Sequence, residues 1–193
     1  VKLDAYNESF MPRPTGAIMS ARGCAFGCTY CVRTFGRKMA YRSAASLAEE
    51  VASLRRLGLN HVRFLDDTFT IKRQRVVELC DLLDQQEPGL TWTALTRLDR
   101  VDSELLERMY RSGCRRLYVG VESISERILE LYNKGLTADQ IRAGLAHIRA
   151  SGIETSAFFI VGAPDETPAE IEQNIEFALE ADPDYIIVTR IQY

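Results

Sequence analysis

The chain has 193 residues, 46% of them hydrophobic, with 24 Lys and Arg against 27 Asp and Glu for a net charge of -3. That length buries the core of one domain and is short for two, and the ordinary composition excludes a disordered or fibrous chain. The charge gives no support for a nucleic-acid partner, which calls for a clustered basic face, and no apolar run approaches the roughly 18 residues that span a bilayer.

Residues 1–15 carry Pro12 and Pro14 with little periodicity and read as an arm, with the core over 16–193. Residues 17–20 form a short apolar strand, followed by Gly23-Cys24-Ala25-Phe26-Gly27-Cys28-Thr29-Tyr30-Cys31. Three cysteines this close suit a loop folded around a soft metal centre, because each thiolate must point at one common site. Iron-sulfur clusters usually take four cysteines, so a compact set of three suggests one iron open to another ligand. The same residues also fit a structural zinc site completed by His61 or His147, or reduced thiols in a turn. Five cysteines in total, an odd number, fit a reducing compartment, the cytoplasm by default, better than a disulfide framework. Cys80 and Cys114 read as buried packing thiols, and the Arg55-Arg56 and Arg115-Arg116 pairs as solvated helix ends.

Ser46-x-x-Glu49 reads as a capping box opening a helix with Leu47, Val51 and Leu54 on one face and Gly58 as its stop. A strand over 62–65 closes on Asp66-Asp67-Thr68, and a helix over 72–86 follows. A third strand over 90–95 ends at Thr96-Arg97. Asp102 then caps a helix that turns Leu105, Leu106, Met109 and Tyr110 inward before Gly113. A fourth strand over 117–121 ends at Glu122-Ser123. Two helical pieces split at Lys134-Gly135; the second opens with Thr137-x-x-Gln140 and buries Ile141, Leu145 and Ile148. A fifth strand over 157–161 leads into Gly162. Thr167-Pro168-Ala169-Glu170 joins a capping box to proline at the first helical position, with Ile171, Ile175 and Ala178 inward. A sixth strand begins at Tyr185, and the helix expected after it is missing, so the chain reads as a piece of a longer one.

Strands that read as apolar runs, alternating with helices, argue for an α/β fold with a parallel sheet. Six such units suit a partial (β/α)6 barrel of the TIM type lacking its last helix, since the complete barrel takes ~250 residues. A doubly wound sheet is the alternative. On a barrel rim the cysteine loop, Asp66, Asp67, Thr96, Arg97, Glu122, Ser123 and Gly162 all follow strand ends and become neighbours.

The spacing C-x3-C-x2-C with Tyr30 before its last cysteine resembles the radical S-adenosylmethionine (SAM) superfamily. Arg22-Gly23-Cys24, Asp66-Asp67-x-Phe69-Thr70, Thr96-Arg97, Ser112-Gly113-Cys114, Gly120-Val121-Glu122-Ser123, Asn133-Lys134-Gly135 and Gly162-x-Pro164-x-Glu166-Thr167 follow in order. Together they resemble the cobalamin-binding branch of that superfamily, from about Arg13 onward. Ala25 stands where that branch commonly has proline, and Asp165 where it has glycine.

The resemblance implies that Cys24, Cys28 and Cys31 hold a [4Fe-4S] cluster whose open iron SAM chelates, and that one electron cleaves SAM to a 5′-deoxyadenosyl radical. It implies Asp66 or Asp67 for the methionine amino group, Arg97 for the carboxylate, Glu122 and Ser123 for the ribose, and Tyr30, Ile160 and Gly162 beside adenine. Each has a competing role: a helix cap or solvated turn for the acids and Ser123, a solvent-facing salt bridge for Arg97, loop packing for Tyr30, a plain turn for Gly162. The branch also implies cobalamin on a separate adjacent domain, a low-potential electron donor such as flavodoxin or ferredoxin, and methylation of a substrate the sequence does not identify. The competing functions are a methylthiotransferase-like RNA modifier, a non-catalytic zinc module and a simple electron carrier. The first is disfavoured by the strand-end pattern Asp66-Asp67-x-Phe69-Thr70.

Overall fold

A computed structural model describes Met11 and residues 14–191. Most of the expected arm lies outside the described residues, and its last member, Thr15, already belongs to a strand. The strands are β1 (Thr15–Ile18), β2 (Ala21–Arg22), β3 (Ala40–Tyr41), β4 (His61–Phe64), β5 (Thr91–Thr96), β6 (Cys114–Glu122), β7 (Glu154–Val161) and β8 (Tyr185–Arg190). The helices are α1 (Ala44–Arg56), α2 (Arg73–Gln86), α3 (Ser103–Arg111), α4 (Glu126–Leu131), α5 (Ala138–Ser151) and α6 (Pro168–Ala181). β2 and β3 form a small antiparallel ribbon beside the cysteine loop.

The other six strands form one sheet in the order β1-β4-β5-β6-β7-β8, with all neighbours parallel. Strand order thus follows chain order without reversing. A doubly wound sheet needs a reversal, so the partial, open TIM-type barrel is the fold and the doubly wound alternative is set aside.

Alternation along each strand sorts its side chains between two faces. Val62, Phe64, Leu117, Val119, Ala157 and Phe159 join the helices' Leu105, Met109, Ile141 and Ile148 in one core. Trp92 fills its centre, 5.5 Å from the Phe64 ring and 5.4 Å from Phe69, and its Nε1 donates to the Ser112 carbonyl at 3.0 Å. Each such side chain contributes about 1.5–3 kcal/mol on burial. The opposite face carries Tyr118 and Phe158, their tilted rings 6.0 Å apart at the centroids, with the Arg63 guanidinium 4.8 Å over the Tyr118 ring.

Asp102, Thr137 and Thr167 cap α3, α5 and α6 as the sequence predicts, the last two as full capping boxes. The predicted box at Ser46 is displaced. Ser43 is the cap, its Oγ accepting from the Ser46 amide at 3.2 Å, because Ala44 already packs in the core one turn earlier. Ser46 Oγ instead accepts from Arg42 Nη2 at 3.1 Å.

β6 begins at Cys114, three residues before the expected start, so Arg115 and Arg116 are strand residues. Arg116 is buried, ion-paired to Glu154 across the sheet and 4.0 Å over the Tyr185 ring. Tyr110 faces outward under the Arg115 guanidinium. On α6 the core-facing residues are Asn174, Phe177 and Ala178. Ile175 is 56% exposed because, among the described residues, nothing covers the apolar strip it forms with Leu179, Ile186 and Val188. Cys80 and Cys114 are buried, and burial pushes the Cys80 thiol up to about 12, in keeping with packing roles. Among the described residues, no helix is long and apolar enough to cross a membrane.

Candidate cofactor site

The cysteine loop leaves β1 at the rim formed by the strand C-terminal ends. Gly23 takes φ +91, and a Cβ there would stand 2.5 Å from the Lys38 carbonyl, so only glycine fits this entry turn. The Cys24 amide donates to the Gly36 carbonyl at 3.1 Å, and Arg33 Nη1 donates to the Phe26 carbonyl at 3.2 Å. Cys28 is buried and Cys31 is exposed. Cys24 Sγ lies 4.0 Å from Thr68 Oγ1, and Cys28 Sγ lies 3.9 Å from Arg97 Nη1. Partial desolvation by the loop around this largely exposed thiol, followed by the neighbouring Cys28, Cys24 and Asp67, raises Cys31, so the three sulfurs share one electrostatic neighbourhood.

Among the described residues, no three His, Cys, Asp or Glu side chains converge as ligands of one ion. A tetrahedral zinc holds its sulfurs ~2.3 Å from a single point. A [4Fe-4S] cluster instead spreads its cysteines over different irons. Three soft thiols that share a neighbourhood without converging fit that spread donor set. The histidines proposed to complete a zinc site stand elsewhere. His61 lies at the N-terminal end of β4, with Nδ1 2.8 Å from Thr91 Oγ1. His147 is exposed on the C-terminal half of α5.

The two aspartates after β4 differ. Asp66 is buried. Its Oδ1 accepts from the Ser20 amide at 2.6 Å, its Oδ2 accepts from Ser20 Oγ, and Arg75 Nη2 stands 3.7 Å away. Arg75 also donates to the Ser20 carbonyl at 3.0 Å and to the Phe69 carbonyl at 3.2 Å. Asp66 therefore ties the end of β1 to the end of β4. Asp67 is exposed on the rim, near enough to Cys31 to raise its thiol. Arg97 is buried, unlike a surface ion pair: Nε donates to Asp99 Oδ1 at 2.9 Å and the guanidinium lies 3.8 Å over the Phe26 ring.

On the next strands, Tyr30 reaches from the loop to the end of β6. Its hydroxyl donates to Glu122 Oε1 at 2.9 Å, and Lys134 Nζ meets the same oxygen at 2.8 Å and the tyrosine oxygen at 3.1 Å. Burial first, then the nearby Glu122, raises the Tyr30 hydroxyl and keeps it protonated. Glu122 itself has φ +66, a left-handed conformation for a side-chain-bearing residue. Ser123 is fully buried, donating to Asn174 Oδ1 at 3.1 Å and accepting from the Ser125 amide at 3.1 Å. Ile160 packs with Ile128, Tyr132 and Ala163, and Tyr30 rests against that cluster. Gly162 has φ +86, and its amide and that of Ala163 donate to Glu166 Oε2.

Residues 18–178 match the family model described as the radical SAM superfamily. The chain belongs to that superfamily. Its members are enzymes that use a [4Fe-4S] cluster and SAM. This radical SAM chain is similar to an uncharacterized methyltransferase of Pyrococcus horikoshii, 35% identical over 175 residues, which are 89% of this chain and 38% of the relative. It is also similar to an anaerobic magnesium-protoporphyrin IX monomethyl ester cyclase of Rubrivivax gelatinosus, 29% identical over 85% of this chain and 30% of the relative. The chain therefore spans about a third of the length of these relatives. Its fold is that of the radical SAM methyltransferase TsrM from Kitasatospora setae, a structure with cobalamin and [4Fe-4S] bound. The TM-score is 0.85 at 21% identity, covering 98% of this chain and 39% of that one.

Three contributors to this radical SAM rim stand in motifs the sequence displays, but their contacts escape sequence reasoning. Thr68 stands beside Cys24, and Lys134 lies between Tyr30 and Glu122. The bare Gly120 leaves room for that pair, since a Cβ there would fall 2.1 Å from Glu122 Oε1. The motif Asn133-Lys134-Gly135 was the signal for Lys134, but nothing local says what a lysine after a helix end will touch.

Proposed function

We propose that this chain is the radical core of a cobalamin-dependent methyltransferase, with Cys24, Cys28 and Cys31 as the cluster's thiolate ligands. The observation that carries the reading is the gathering of the cysteine loop, Asp67, Arg97, Tyr30 and Glu122 on one rim of a radical SAM fold. When bound, the cluster supplies the electron that cleaves SAM to methionine and a 5′-deoxyadenosyl radical.

The chain's own residues bind and orient. Asp67, exposed beside the loop, takes the methionine ammonium, because an ionised carboxylate is the strongest acceptor for such a donor. Arg97 presents its guanidinium to the methionine carboxylate, held in place by Asp99 and the Phe26 ring. Glu122 offers Oε2 to the ribose hydroxyls, since Tyr30 and Lys134 both engage Oε1. Tyr30 and Ile160 supply an apolar wall for adenine, and Gly162 lets that base approach the end of β7. Asp66 and Ser123 hold the scaffold, since both are committed to internal partners. Positioning of this kind is the protein's principal contribution to cofactor chemistry.

Methylation and cobalamin on an adjacent domain are supported by the methyltransferase relative and by the fold shared with TsrM. A low-potential donor such as flavodoxin or ferredoxin supplies the electron. The test is anaerobic reconstitution of the protein with iron and sulfide, followed by SAM and dithionite. Four irons per chain and release of 5′-deoxyadenosine are expected, and Cys28→Ala is expected to abolish both. Stoichiometric zinc without sulfide, or full cluster occupancy in Cys28→Ala, would overturn the assignment. Cobalamin co-purifying with the longer protein tests the methyltransferase part; a cobalamin-free protein that is fully active would overturn it.

A further inference from the structure

The last residue of α4 and the connection from it to α5 grip the cysteine loop at four points. The Thr29 amide donates to the Tyr132 carbonyl at 2.9 Å, and Thr29 Oγ1 donates to the Leu131 carbonyl at 3.0 Å. Asn133 Nδ2 donates to the Gly27 carbonyl at 3.0 Å, and Lys134 Nζ to the Tyr30 hydroxyl at 3.1 Å. The Tyr132 ring meets the Tyr30 ring edge-on with centroids 5.0 Å apart. Every contact falls on Gly27, Thr29 or Tyr30, the residues that flank Cys28 and lead into Cys31.

The surroundings are shaped to permit this grip. A Cβ at Gly27 would stand 2.8 Å from Asn133 Nδ2, and one at Gly120 would stand 2.7 Å from Lys134 Nζ. Asn133 adopts φ +47 and Gly135 φ +63, turning the chain back toward the loop. Lys134 is 4% exposed and ion-paired to the buried Glu122. A buried ion pair returns little net stability, because desolvation offsets the attraction. Its placement against Tyr30 is better explained by geometry than by stability.

We infer that Tyr132–Gly135 is a clamp that shapes the cysteine loop before any cluster is present, with Asn133 and Lys134 as positioning residues. Asn133 sets the carbonyl before Cys28. Lys134 sets Tyr30, the residue before Cys31, and joins it to the carboxylate of Glu122. The inference rests on the loop being a cluster-binding loop, yet the clamp acts on the protein alone.

The experiment is hydrogen–deuterium exchange of the full chain without cluster, read by mass spectrometry over residues 23–34. Asn133→Gly keeps the left-handed backbone and deletes the bond to Gly27, and an Asn133→Asp control, which also lacks the donor, separates that loss from the chain freedom a glycine adds. Lys134→Met keeps the side-chain length and deletes the ammonium. Each should speed exchange in that peptide about fivefold, as expected from losing one hydrogen bond, while peptides from α2 and β5 keep their rates. After reconstitution the same variants should hold less iron and sulfide and give an altered electron paramagnetic resonance signal when reduced. If Lys134→Met fails to fold, Asn133→Gly still decides. Unchanged loop exchange in Asn133→Gly would overturn the clamp, as would acceleration spread equally over all peptides. A wild-type protein that takes up no iron and sulfide, yet shows the local change in exchange, would sink the cluster assignment and leave the clamp standing.

Discussion

Replacing Asp66 with Ala removes a buried carboxylate that accepts from the Ser20 amide at 2.6 Å and from Ser20 Oγ, and that faces Arg75 Nη2 at 3.7 Å. The Ser20 amide then lies buried without its acceptor. The guanidinium loses its counter-charge, and its Nε already makes no hydrogen bond among the described residues. Breaking a buried pair by deleting one partner costs about 3–5 kcal/mol. The remaining bonds from Arg75 to the Ser20 and Phe69 carbonyls favour the lower end, about 3 kcal/mol. Replacing the exposed Asp67 with Ala deletes no such partner and should stay within about 0.5 kcal/mol of wild type.

Urea unfolding of the cluster-free protein measures both costs. Calorimetric titration of SAM into the reconstituted protein measures the functional consequence. Asp67→Ala should weaken SAM binding at least tenfold with stability unchanged, since a charge-assisted bond contributes about 1.5–3 kcal/mol. Asp66→Asn, which keeps the shape and one acceptor, should lose less stability than Asp66→Ala and bind SAM. A stable Asp66→Ala protein that no longer binds SAM, paired with a normal Asp67→Ala protein, would reverse the assignment and refute the reasoning from burial.

Gly120→Ala should weaken SAM binding about tenfold, ~1.4 kcal/mol, because its Cβ would fall 2.1 Å from Glu122 Oε1 and force the Glu122–Lys134 pair apart. Titration that gives the wild-type affinity would remove Glu122 from the SAM site. Iodoacetamide applied to the folded, cluster-free protein should label Cys31 and spare Cys80 and Cys114, whose thiols burial raises; peptide mass mapping that finds Cys80 labelled first would contradict their packing role. Glu170 is held below the usual carboxylate value of 4.5, chiefly by the Arg127 guanidinium and then by the Thr167 amide. A depressed folded value gives stability that is full above the unfolded value and is lost as pH falls below it. Glu170→Gln should therefore flatten the decline in stability from about pH 5 to about pH 3, and an unchanged decline in acid-titrated unfolding curves would dismiss the ion pair.

The parts of this molecule that could be read from its sequence are those fixed by neighbours along the chain. A capping box closes within four residues, so Thr137 and Thr167 declared α5 and α6. The strand-end positions of Asp67, Arg97 and Glu122 followed from counting strands, because parallel strands gather all their C-terminal ends on one rim. Ser46 misled because its pattern and that of Ser43 overlap, and the choice fell to which residue, Ala44, had a core to enter. Ile175 misled because an inward face needs something to cover it, and the helix period cannot say whether that cover is present.

The division between Asp66 and Asp67 was hidden for a different reason. Both lie just past the end of β4, where no strand register says which carboxylate turns inward, and the position of Arg75, nine residues after Asp66, decides it. The clamp was hidden most deeply. It joins Tyr30 to Lys134 across 104 residues, and three of its four bonds end on backbone carbonyls that any side chain could accompany. Chemistry carried by side-chain identity survives in a sequence as a motif, whereas positioning carried by the backbone leaves only the glycines that make room for it. Gly27 and Gly120 are those traces, and they mark where the loop's geometry is set from outside the loop.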